Sequence, residues 1–195
     1  YTGQPIRGKL FKGNKKNLSI YEKLDKNKPN LLVVGGSSGA KFINDKVLKN
    51  IEKLTKNFNV IHITGKQVVK DAKCSGYFQV EYADNIEDYL NLADIVLSRA
   101  GSGAINEFLA LAKPMLLIPL SKKCSRGDQI ENAKLFNSLG YADILQEEDY
   151  DDEMFLIKIN NLYKNREKYI KNMEKVAKND ACEKIIEIID ENIKK

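Results

Sequence analysis

The stretch from Asp94 to Ala112 restricts the fold more than any other part of the sequence. The apolar run Asp94-Ile95-Val96-Leu97 leads into Ser98-Arg99-Ala100-Gly101-Ser102-Gly103-Ala104-Ile105-Asn106-Glu107. Phe108-Leu109-Ala110-Leu111-Ala112 then carries an apolar helical pattern that stops before Lys113-Pro114. A buried parallel strand that delivers its chain through a glycine turn into a helix has this form. The turn is therefore expected at the carboxyl edge of a sheet, where helix N-termini with unpaired N–H groups converge on anions in doubly wound folds. Glu107 lies one turn into that helix, where a carboxylate can accept two hydrogen bonds from a vicinal diol such as a ribose. The same residues admit a plainer reading, in which Gly101 and Gly103 only tighten a corner and Glu107 only complements the helix dipole.

The arrangement recurs. Leu31-Leu32-Val33-Val34 stops at Gly35-Gly36-Ser37-Ser38-Gly39-Ala40, after which Phe42, Ile43, Val47, Leu48, Ile51 and Leu54 repeat at helical spacing up to Thr55. The glycine turn lacks the Lys-Ser/Thr ending of a Walker A loop and the spacing of the dinucleotide fingerprint. Further strands are expected at Asn59–Ile63, Tyr77–Val80, Met115–Ile118 and Tyr141–Leu145, with a short helix over Ile86–Leu92. Strands alternating with helices imply right-handed crossovers and a parallel sheet, so the expected class is α/β, a Rossmann-like parallel sheet flanked by helices. Asp128 is the expected N-cap of a helix reaching Leu139-Gly140. On that helix Gln129 and Asn132, three apart, share a face and could hold sugar hydroxyls, or be merely solvated. From Met154 onward, surface helices are expected with breaks near Asn165 and Asn179-Asp180. Before the first strand, residues 1–12 read as irregular, with Arg7 in a turn, and residues 17–29 as a linker or marginal amphipathic helix.

Composition excludes several classes. A chain of 195 residues with 43% hydrophobic and 30% charged residues is globular, and no apolar run approaches the roughly 18 residues of a membrane span. The formal charge of +5 comes from lysines spread along the chain among acidic residues, with no clustered basic and aromatic surface of the kind nucleic acid requires. Cys74, Cys124 and Cys182 are widely separated and lack any Cys/His cluster, so they read as reduced thiols and no metal site is expected. His62, the one histidine, lies in the apolar run Val60-Ile61-His62-Ile63 and reads as a satisfied structural residue. The chain begins at Tyr1 rather than Met, and a piece of a longer polypeptide is expected.

Five segments in order resemble the C-terminal half of the N-acetylglucosaminyltransferases of glycosyltransferase family 28, which act on lipid I in peptidoglycan synthesis. Thr2-Gly3-Gln4-Pro5-Ile6-Arg7 resembles the family's TGNPVR, with Gln4 in place of Asn. Gly35 to Ala40 resembles its GGSQGA loop and His62-Ile63-Thr64-Gly65 its HQTG. Ala93-Asp94, Arg99-Ala100-Gly101 and Glu107 resemble its AD…RSG…E block. Asp128-Gln129 with Asn132-Ala133 resembles DHQ…NA without the middle His.

The resemblance implies a GT-B glycosyltransferase whose present half binds UDP-N-acetylglucosamine without a cofactor. Carried over by position, Arg7 and Ser37 would meet the diphosphate and the backbone at Ala83 the uracil. The turn formed by Ser102, Gly103, Ala104, Ile105 and Asn106 would cradle phosphate, Glu107 would bind the ribose diol, and Gln129 with Asn132 would read sugar hydroxyls. It also implies a division into residues 1–30 as interdomain segment and linker, 31–163 as the Rossmann-like UDP-sugar-binding domain, and 164–195 as C-terminal helices packing back on the domain or its missing partner. The catalytic base and the lipid I site would lie in an absent N-terminal domain, with peripheral contact at the cytoplasmic face of the cell membrane. The competing readings are a stand-alone donor-binding subunit completed by a membrane partner, and a non-catalytic module that binds a UDP-sugar.

Overall fold

Among the described residues six strands alternate their side chains between two apolar faces, which is why each reads as a continuous hydrophobic run. They are β1 (Asn30–Val34), β2 (Asn59–Ile63), β3 (Tyr77–Val80), β4 (Ile95–Ser98), β5 (Met115–Leu117) and β6 (Ala142–Ile144). In the computed structural model, which describes residues 3–36, 38–66, 72–176 and 181–193, they form one sheet in the order β3-β2-β1-β4-β5-β6. Every neighbouring pair is parallel, with Leu31 opposite both Val60 and Ile95.

Among the described residues eight α-helices flank the sheet: α1 (Lys41–Lys49), α2 (Ile51–Asn57), α3 (Ile86–Leu92), α4 (Ser102–Ala110), α5 (Asp128–Ser138), α6 (Asp152–Lys164), α7 (Arg166–Glu174) and α8 (Ala181–Ile193). Leu31, Val33, Ile95 and Leu97 pack with Ile43 and Val47 of α1, Leu54 of α2 and Phe155 of α6. Leu32, Val96 and Leu117 face the other way, onto Leu90 of α3, Phe108 of α4 and Phe136 of α5. Covering both faces is what a parallel sheet requires, and each fully buried aliphatic side chain contributes about 1.5–3 kcal/mol. The order of strands reverses between β1 and β4, so their carboxyl ends flank an open crevice.

The single helix expected over residues 42–55 is divided into α1 and α2 at Asn50. The Asn50 amide donates to Lys46 O at 3.0 Å, to the Tyr150 hydroxyl at 3.1 Å and to Asp152 Oδ1 at 2.8 Å, anchoring the corner to the N-terminus of α6. The expected break at Asn165 separates α6 from α7, whereas Asn179-Asp180 lies outside the described residues. The N-cap of α5 is Gly127, at φ +93°, and Asp128 is the first helical residue, its carboxylate placed to complement the dipole rather than to cap.

Ahead of β1, residues 8–12, 15–17 and 21–23 form short 3-10 helices that bury Leu10, Leu18 and Leu24. This segment is bonded to α3: Lys9 pairs with Glu87 at 2.7 Å and Asp88 Oδ1 accepts from the Asn14 amide at 2.7 Å. Those contacts hold both carboxyls below their ordinary range, Glu87 chiefly through Lys9 and Asp88 chiefly through the Asn14 N–H. A Cβ on Gly13 would stand 2.1 Å from Glu87 O, so glycine is what permits this docking.

Candidate functional site

The crevice begins as a problem of chain packing at the carboxyl ends of β1 and β2. After β1, Gly39 turns at φ +78° and its N–H donates to Gly36 O at 3.0 Å. A Cβ there would meet Thr64 O at 2.2 Å, and one on Gly65 would meet Gly39 N at 2.2 Å. The loop entering α1 is thus pressed against the end of β2 by paired glycines, leaving no room for a side chain. Beneath it His62 is fully buried: Asn44 Nδ2 donates to Thr64 O at 2.9 Å, so Asn44 Oδ1 accepts from His62 Nε2, also at 2.9 Å. His62 Nδ1 faces the Tyr77 hydroxyl at 2.9 Å, and that hydroxyl also reaches Gln79 Oε1 at 3.2 Å. Burial pushes this imidazole down from 6.5 to about 4, so it is neutral at physiological pH and serves structure.

Across the crevice α4 starts at Gly101, with no side chain capping its first turn and no acidic residue in it. The Ile105 N–H donates to Gly101 O at 3.1 Å, so the amides left over for a ligand are those of Ser102, Gly103 and Ala104. Ile105 itself points into the core, and Asn106 folds its amide back onto Ser102 O at 2.8 Å. Of the expected phosphate cradle, Ser102 and Gly103 are exposed and Ala104 is half-buried. Glu107 lies beyond the first turn, on the same face as Ala104, three residues away. Its Oε1 accepts from Arg7 Nε at 3.1 Å and Nη2 at 2.9 Å, which brings together residues read separately as a diol acceptor and a phosphate donor.

The third wall comes from β5, β6 and α5. Gln129 Oε1 accepts from the Leu120 amide at 3.1 Å, and its Nε2 has no partner among the described residues. Asn132 Nδ2 donates to Ala100 O at 3.1 Å, tying α5 to the turn before α4. Between β1 and β4 lies a cavity of about 500 Å³ whose lining includes Gly36, Phe42, Arg99, Ala104, Gln129 and Glu147. That volume is in the range of small-molecule sites. Ala83 lies half-buried after β3, two strands from β1, and does not line the cavity, and Ser37 lies outside the described residues.

Two residues with no expected role occupy the floor. Arg99 Nη1 reaches Ile118 O at 3.1 Å, Pro119 O at 3.2 Å and Glu147 Oε1 at 2.5 Å, joining the ends of β4, β5 and β6. In the sequence Arg99 follows directly on a strand in a glycine turn, which marks it, whereas Glu147 sits in an acidic loop with nothing to single it out. Asp94 belongs to the opposite edge, where its Oδ2 accepts from the Asn30 backbone N–H at 2.7 Å and fixes β1 beside β4.

Residues 30–188 match the family model for the glycosyltransferase family 28 C-terminal domain. The chain is 47% identical over 192 residues to the UDP-N-acetylglucosamine--N-acetylmuramyl-(pentapeptide) pyrophosphoryl-undecaprenol N-acetylglucosamine transferase of Clostridium tetani, covering 97% of this chain and 54% of that protein. To the protein of the same name from Clostridium botulinum strain Hall it is 46% identical, covering 96% and 54%. The chain therefore spans about half the length of the curated relatives it matches. Among solved structures it is similar to Acinetobacter baumannii MurG, with a TM-score of 0.74, 23% identity and coverage of 94% of this chain and 55% of that one. The glycotransferase of kitacinnamycin follows at a TM-score of 0.71 and 16% identity, covering 91% and 43%, a likeness of fold.

Proposed function

Because the chain belongs to the glycosyltransferase family 28 C-terminal domains, we propose that its crevice holds UDP-N-acetylglucosamine as the donor half of a transferase. In this reading the sugar passes to lipid I, the undecaprenyl-pyrophosphoryl-MurNAc-pentapeptide, to give lipid II for peptidoglycan. One observation carries it: the uncapped start of α4, through Gly101 and Ala104, lines a cavity at the strand-order reversal, with Glu107 on the same helix face as Ala104.

Amides at a helix N-terminus suit phosphate, and a carboxylate one turn on suits a ribose diol. Arg7 exchanges Glu107 for the diphosphate when the donor arrives. Its side chain is 64% exposed, and exposed pairs of this kind are worth at most about 1 kcal/mol, so the exchange costs little. Gln129, with Oε1 held by Leu120, offers Nε2 to a sugar hydroxyl, while Asn132 acts mainly by holding the Ala100 turn. The loop containing Ser37 would meet the diphosphate and the backbone at Ala83 would meet the uracil.

During transfer the departing UDP gains negative charge. Preoriented amides and guanidinium groups stabilise it without reorganisation, while a base on the other half of the protein removes the acceptor proton. That half also holds lipid I and makes the peripheral contact with the cytoplasmic face of the membrane. Residues 164–195 would pack back on the domain through α7, where Met173 is buried and Asn172 donates to Gly140 O at 3.3 Å, and on the other half through α8, where Ile186, Ile189 and Ile193 form an exposed apolar face.

Calorimetric titration with UDP-N-acetylglucosamine, UDP-glucose and GDP-mannose tests the donor site. The uridine nucleotides bind and GDP-mannose does not, and Glu107→Ala weakens UDP binding about 30-fold, the worth of a hydrogen-bonded pair to a charged acceptor. Absence of UDP binding, or an unchanged affinity in the Ala variant, refutes the assignment.

A further inference from the structure

We propose that Glu147, which lies outside every motif of the chain, is a positioning residue that sets the guanidinium of Arg99 for the donor's diphosphate. The inference rests on the reading that the crevice binds a uridine diphosphate.

Both side chains are largely withdrawn from water, Arg99 at 12% and Glu147 at 16% exposed, yet both line the cavity. Glu147 Oε1 is completely buried without an aligned hydrogen bond among the described residues, and the Arg99 charge at 2.5 Å is what compensates it. Arg99 Nη1 is consumed by Glu147 together with the carbonyls of Ile118 and Pro119. Nε and Nη2 have no partner among the described residues and are not buried. A planar fork gripped on one nitrogen presents its remaining N–H groups in a fixed direction, and paired N–H groups are the match for phosphate oxygens. The Phe42 ring, 5.9 Å from the guanidinium carbon, borders the same group.

Nη1 has two hydrogens and the carbonyls of Ile118 and Pro119 take both, so the Glu147 carboxylate acts on the guanidinium through its charge and holds that cation at the ends of β4 and β5. Glu147 comes from the loop after β6, so it reaches the guanidinium from the side of the sheet away from β1. Its charge would repel a diphosphate if it faced the ligand directly, which makes reach and charge separable by substitution.

The test measures affinities of the chain for UDP, UMP and uridine with Glu147→Asp and Glu147→Gln. Asp keeps the charge but shortens the reach, and Gln keeps the reach without the charge. Positioning through this charge contact predicts that Asp, which shortens the reach, and Gln, which removes the charge, each lower the UDP-to-uridine affinity ratio about tenfold while uridine binding is retained. An unchanged ratio in either variant overturns the proposal. So does a raised ratio in the Gln variant with Asp unaltered, since Glu147 would then be only a repelling charge. Equal loss of uridine and UDP overturns it too, because that is general destabilisation. If the unsubstituted chain binds UDP no better than uridine, the donor-site reading itself fails.

Discussion

Glu107 and Arg7 mark how far residue identity reaches. A carboxylate after a glycine turn and an arginine in a short irregular segment are each legible as ligand groups, but their mutual bond joins residues a hundred positions apart and depends on how the first segment docks on α3. Arg99 and Glu147 make the same point more sharply: the arginine is visible at a strand end, and its partner has no local signature. His62 was legible because one histidine inside an apolar run has no second ligand, and its two hydrogen bonds bear that reading out. Its titration yields a prediction. The imidazole is lowered to about 4 in the folded chain against 6.5 unfolded, so its contribution is complete above pH 6.5 and disappears as pH falls towards 4. Over that window the unfolding free energy should fall by about 3 kcal/mol beyond the decline of His62→Gln, read from urea midpoints at pH 7, 5.5 and 4. Parallel profiles for the two proteins would exclude this origin.

At the scale of elements, period-two packing on two apolar faces made the strands easy to place, because every central strand must be apolar throughout. Helix limits were harder. Asn50 breaks a continuous amphipathic pattern through contacts with Tyr150 and Asp152, which no local window contains. The glycine loop before α1 shows the reverse case, in which local and distant demands coincide. Gly36 and Gly39 both have positive φ, but a Cβ at Gly36 enters open space whereas one at Gly39 strikes Thr64 O at 2.2 Å. Gly36→Ala should therefore cost about 1 kcal/mol of backbone strain, and Gly39→Ala about 3 kcal/mol or more, with displacement of the loop from β2. Denaturant unfolding of the two variants checks the difference, and equal costs would show that the loop moves freely.

For the whole molecule, the strand order creates the crevice. On the proposed reading as a donor half, the chain should bind UDP yet transfer nothing measurable to a lipid I analogue, and supplying the other half should restore transfer. Robust turnover by the 195-residue chain alone would defeat that expectation. The α/β class, the succession of strands and the glycine turns were decided by the sequence itself, since hydrophobic period and backbone freedom are local properties. The membership of these turns in one site was not. Only the order β3-β2-β1-β4-β5-β6 places the loops after β1 and β4 side by side and leaves Ala83 two strands away from β1. The tertiary structure also determined which amides of α4 stay unpaired, that Asn132 holds a turn, and that Glu147 pairs with Arg99. The physical reason is that hydrogen-bond partners and buried charges are chosen by proximity in space, and a one-dimensional pattern carries the needs of each group but not which neighbour will meet them.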